Sequence, residues 1–85
     1  MRELLPWLRA QIAALRSEAP NRLYRRRREM LAQCEAHDAV LALWDRTESE
    51  ASILPPAALI LADEMVTAIA VAYRNNPGYR EEWRP

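Results

Sequence analysis

The stretch "PPAALILADEMVTAIAVAYR", residues 55–74, decides the fold. Two prolines open it, and proline is tolerated at the start of a helix because the first-turn N–H groups have no helical partner. When the residues are placed at 100° steps, Asp63, Thr67 and Arg74 fall within about 40° of one another, with Glu64 a little outside. Almost every other position is apolar: Leu59, Ile60, Leu61, Met65, Val66, Ile69, Val71, Tyr73 and six alanines. A helix apolar around most of its circumference is buried on most sides. Two partner helices in an 85-residue chain can hardly cover it. It is therefore either the central helix of a bundle or part of a dimer interface, for which Leu61, Met65, Ile69 and Tyr73 are the candidates. Its alanines permit close helix approach.

Two more helices precede it. Over residues 4–19, Leu4, Leu8, Ile12, Leu15 and Ala19 keep the rhythm of one helical face, with Leu5 at its edge. Pro6 fits the first turn and Pro20 stops the helix, because the residue before proline disfavours the α region. Arg2, Arg9 and Arg16 are seven apart and flank the apolar stripe. The second helix is expected over 21–45, capped by Asn21 and about 37 Å long. Its stripe is Leu23, Met30, Cys34 and Leu41, with Arg27 and His37 at the margins. Near its end Val40, Leu43 and Trp44 turn apolar groups toward a second neighbour. The polar run "RTESEAS", residues 46–52, reads as a linker, and the third helix as 55–74. No alternating β pattern is present, so the fold class is all-α.

At 85 residues the chain is one domain, and a chain this short buries only about 60–65% of its unfolded surface. One cysteine closes no internal disulfide. Good packing or self-association must supply the stability. No signal peptide is evident, and Asp63 and Glu64 interrupt the one candidate bilayer span. The chain reads as cytoplasmic with no membrane partner. Its formal net charge is zero but unevenly distributed. Residues 1–28 carry eight arginines and two acids, while residues 29–64 carry one arginine and eight acids. Such segregation suits helices that pack on one another, or a head-to-tail partner.

Three candidate sites stand out. The run "RRRR", residues 25–28, invites phosphate contacts by Arg22, Arg25, Arg26 and Arg28. Successive helix residues point about 100° apart, however, so the run circles the axis and reads better as a solvated helix start with Arg25 paired to Glu29. In "CEAHD", residues 34–38, Cys34 and His37 could touch one metal, but two ligands are not a site. A buried thiol beside a marginal histidine is the plainer reading, and no cofactor is expected. The serines and the Asp63–Glu64 pair lack any catalytic setting, so the chain reads as non-catalytic.

The third candidate is the tail, "NNPGYREEWRP", residues 75–85. Pro77-Gly78 suits a type II turn that folds the chain back. Tyr79 and Trp83 then share a face, either as an anchor on the bundle end against Trp44 or Trp7, or with Arg80 as a docking element for a partner. The segment from Pro77 to Pro85, with Tyr73, resembles the C-terminal signature of a family of small proteins of unknown function from actinobacteria and their phages. A looser similarity covers "LRAQIAAL" and "NRLYRRRREMLAQCEAHD". Longer members carry a glycine- and tryptophan-containing insert that is absent here. The resemblance implies such an origin and no particular reaction.

The expected architecture is a three-helix bundle or helical hairpin assembling as a homodimer, with an ordered aromatic C-terminal tail. The expected role is a protein–protein interaction module that binds itself and an unidentified protein. The alternatives are a nucleic-acid-associated regulator or a phage-type inhibitor of a host protein.

Overall fold

A computed structural model describes residues 2–21 and 23–85, the side chain of Tyr24 excepted. Among these residues there are three α-helices and no strand: α1 (Leu4–Glu18), α2 (Tyr24–Ser49) and α3 (Pro56–Ala70). Short 3-10 turns at Ala19–Asn21, Val71–Tyr73 and Glu81–Trp83 complete the chain. The class is all-α.

The ends of the helices follow local chemistry. Pro6 lies in the first turn of α1 and Arg16 in its last, where a cation suits the helix dipole. Pro20 ends the α-helix, yet Ala19 before it keeps helical angles and the chain continues through Pro20 as a 3-10 turn. Asn21 is thereby absorbed, so it does not cap α2. Leu23 takes that position in extended conformation, with no side-chain cap. At its other end α2 runs through Arg46–Ser49, half of the expected linker. The hydroxyl of Thr47 donates to the Leu43 carbonyl at 2.8 Å, and that of Ser49 to the Arg46 carbonyl at 2.8 Å. Both hydroxyls bond back onto carbonyls of the preceding turn, so these polar side chains are accommodated within the helix. Pro55 in extended conformation and Pro56 at the first helical position then open α3.

Helix α2 packs against both others, while α1 and α3 meet less extensively. It runs antiparallel to each. Arg9 pairs with Asp45 and Arg16 with Asp38 across the α1–α2 seam. Trp44 reaches Asp63 and His37 reaches Tyr73 across the α2–α3 seam. The common core holds Leu4, Leu8 and Ile12 from α1, Cys34 and Leu41 from α2, and Val66, Ala70 and Tyr73 from the third segment. Leu23, expected on the α2 stripe, is instead 85% exposed.

Tyr73 corrects the expected dimer surface. It is only 4% exposed inside its own chain, because the 3-10 turn after α3 points it at His37. Ile69 is half-buried and packs on the same core. Leu61 and Met65 face outward, 57% and 40% exposed. The 18-residue stretch Pro56–Tyr73 also meets the length and composition of a bilayer span, which the interrupting acids were expected to prevent.

Candidate functional site

The outward side of α3 is the most unusual surface of the chain. Beyond Pro56, the exposed positions of this helix are Ala57, Ile60, Leu61, Glu64, Met65 and Ala68. Their spacing of three and one in alternation is that of a single stripe along a helix. Five of the six are apolar. The opposite side holds Val66 and Ala70, both fully buried. The all-round apolar character of α3 therefore resolves into one face packed inside the protomer and one facing out.

Alongside the stripe runs an open groove of about 230 Å³ between α2 and α3. Its walls are Val40, Leu43 and Trp44 on one side, and Ala58, Leu61 and Met65 on the other. Leu43 is more than half exposed. The indole of Trp44 donates to Asp63 at 2.8 Å, which fixes the ring as part of the α2 wall and ties Asp63 to α2. The sequence flagged Val40, Leu43 and Trp44 as a second apolar face. It gave no sign that Ala58 and Ala62 lie beside them.

The tail residues pack on the N-terminal half of α1. Trp7, Tyr79 and Trp83 form a triangle with ring centroids 5.3–5.8 Å apart. The Trp7 indole N–H donates to the Pro77 carbonyl at 3.0 Å. Asn76 donates to Gln11 at 2.9 Å. Arg80 pairs with Glu3 and lies 5.5 Å over the Trp83 ring. Gly78 has φ +91°, and a Cβ there would sit 2.7 Å from the Trp7 indole nitrogen. Glycine is thus required twice, for the backbone angle and for the space. Tyr79, Arg80 and Trp83, the candidate partner-binding residues of the tail, all have partners within the chain.

Arginines of α1 face acids of α2. Arg9 reaches both carboxylate oxygens of Asp45 at 2.9 Å, and Arg16 pairs with Asp38 one heptad further on. Arginines seven apart on one helix meet acids seven apart on the other, which is the register an antiparallel pair requires. In the "RRRR" run, Arg25 lies 3.7 Å from Glu29. Arg26 lies beside Glu29 and Gln33, whereas Arg28 lines a different surface with Arg25 and Ala32. The run is spread around the helix. Arg22 lies outside the described residues.

Cys34 is fully buried, and its Sγ lies 3.6 Å from the Ile12 carbonyl. Burial pushes its pKa up, which keeps it a thiol. The Nδ1 atom of His37 is 2.7 Å from the Tyr73 hydroxyl. Burial lowers the His37 pKa, with nearby Asp38 working in the opposite direction. With its proton on Nε2, a neutral His37 accepts a hydrogen bond from the Tyr73 hydroxyl at Nδ1. Cys34 and His37 therefore point at different partners, and among the described residues no cluster of three or more metal-ligating side chains occurs.

The model of a family of unknown function, DUF6221, matches residues 16–85, which takes in everything from the end of α1 to the aromatic tail. The chain belongs to this family. No curated protein matches the chain, nor does any solved structure. For this DUF6221 member the functional reading therefore rests on its own surface.

Proposed function

We propose that this DUF6221 protein is a non-catalytic protein–protein interaction module that works as a homodimer through the outward stripe of α3, with its tail as an internal anchor. One observation carries the reading: the protomer leaves too much surface uncovered. Its accessible area is 6025 Å². A compact monomer of 9.8 kDa is expected to expose roughly 5,200 Å². The excess, roughly 850 Å², is close to the ~800 Å² that each partner buries in a standard protein interface. The radius of gyration, 14.0 Å, likewise exceeds the roughly 12 Å expected for 85 residues. Of the large hydrophobic side chains that stay exposed, Ile60, Leu61 and Met65 lie on α3 and Leu43 on the wall of the adjoining groove.

A second copy suits this surface better than a lipid bilayer. Asp63 and Glu64 sit mid-helix, where charges in hydrocarbon cost at least ~2.5 kcal/mol each. Asp63 is moreover tied to Trp44 of α2. The tail fits the anchor role because its aromatic side chains already pack on Trp7.

Light scattering on the purified chain tests the proposal. At micromolar concentration the expected mass is twice 9.8 kDa, and the double variant Leu61→Glu/Met65→Glu is expected to halve it while helical circular dichroism is retained. A wild-type chain that stays monomeric, or that floats with lipid vesicles, overturns it.

A further inference from the structure

The stripe itself suggests how the second copy sits. Resting on the homodimeric reading above, we infer that the two α3 helices pack antiparallel, about a two-fold axis that passes between Leu61 and Glu64. The exposed positions 57, 60, 61, 64, 65 and 68 read the same in both directions, symmetric about the midpoint between 62 and 63. A two-fold axis there makes the patch self-complementary, as a closed dimer interface requires.

The chemistry of the paired positions favours this direction. Antiparallel packing sets Ala57 against Ala68 of the second copy, which lets the helix ends approach closely. It sets the branched Ile60 against the flexible Met65, both apolar. It sets Leu61 against Glu64, whose methylene stem covers the leucine while its carboxylate turns out to water. Parallel packing would instead set each residue against itself, bringing the two Glu64 carboxylates face to face at the centre of the contact. Like charges held together without a cation oppose association. Antiparallel packing also aligns the helix dipoles favourably. In either copy the groove beside Leu61 and Met65 gives the approaching helix a recess lined by Leu43 and Trp44.

Glu64 thus becomes the residue that sets direction and limits strength. Replacing it removes the penalty that distinguishes the two directions and extends the apolar stripe. Glu64→Leu is expected to tighten the dimer at least about tenfold, since apolar burial is gained in two symmetric places.

Disulfide trapping tests the direction. Ala57→Cys and Ala68→Cys proteins are prepared separately, with the buried Cys34 left in place, and oxidised with glutathione disulfide alone and after mixing. Within one helix the two positions are about 16 Å apart, so neither chain can bridge itself at these sites. The expected result is cross-linked dimer in the mixture and little with either protein alone. Cross-linking of Ala57→Cys by itself, in a chain that is dimeric by light scattering, overturns the antiparallel arrangement and leaves the homodimer standing. A dimer that cross-links in none of the three samples moves the interface off this stripe and overturns the inference. A monomeric wild-type chain overturns the homodimer and the arrangement with it.

Discussion

Two regions of this molecule carry costly apolar side chains near its surface, and they differ in what covers them. At the N-terminal end of α1, Trp7 is covered by the chain's own last residues: Pro77 accepts its N–H, Tyr79 and Trp83 flank its ring, and Arg80 ties to Glu3. Along α3, Leu61 and Met65 have no such cover and remain about half exposed. Aromatic tails and apolar helices look alike in composition. What separates them here is a partner 70 residues away in sequence but adjacent in space. The first region stabilises the protomer, and the second is where a further chain can add buried area.

That contrast can be broken by substitution. Trp7→Ala removes the centre of the aromatic cluster and is expected to cost about 3 kcal/mol, within the range for large-to-small core changes. Chemical denaturation measures it, and the loss should not depend on protein concentration. A loss that disappears on dilution would mean that the cluster is completed by a second chain. Gly78→Ala is expected to cost about 2 kcal/mol, through the unfavourable backbone angle and the collision with Trp7. Unchanged stability would show that the tail does not pack there.

The α2–α3 seam predicts a dependence on pH. His37 has a lowered pKa in the folded chain, so the unfolded chain binds its proton more readily. Its contribution is fully present above the ordinary value of 6.5 and is lost as pH falls from there through the folded value. Urea midpoints taken at pH values on both sides of 6.5 should fall on the acid side, and His37→Gln should flatten the slope. The smallest effect belongs to Tyr79, whose buried hydroxyl has no hydrogen-bond partner among the described residues. Removing an unsatisfied group is nearly neutral, so Tyr79→Phe should change stability by less than about 0.5 kcal/mol, or raise it. A clear loss would reveal a partner for that hydroxyl.

Much of this arrangement is legible in the sequence, for identifiable reasons. The α1 stripe of Leu4, Leu8 and Ile12 is strictly periodic and flanked by arginines, so its buried face follows directly. The end of α2 is not legible, because Thr47 and Ser49 look like linker residues until their hydroxyls are seen to bond back onto the preceding turn. Asn21 misleads in the opposite way: it is a good cap in isolation, but the 3-10 turn around Pro20 absorbs it. The division of α3 into an inner and an outer face is hidden by its composition. When nearly every position is apolar, periodicity cannot say which side meets α2. Ile69 and Tyr73 therefore read as surface until the His37 contact places Tyr73 inside. The tail is half legible: Pro77-Gly78 announces the turn, but its site on Trp7 depends on a contact between the two ends of the chain.

The most direct test compares the two regions in one sample. Hydroxyl-radical footprinting, read by mass spectrometry at a dilute and a concentrated setting, follows Leu61 and Met65 together with Trp7, Tyr79 and Trp83. The expected result is that Leu61 and Met65 gain protection as concentration rises, while the three aromatic residues do not change. Leu61 and Met65 equally reactive at both concentrations, or an aromatic cluster that alone becomes protected, would contradict the account.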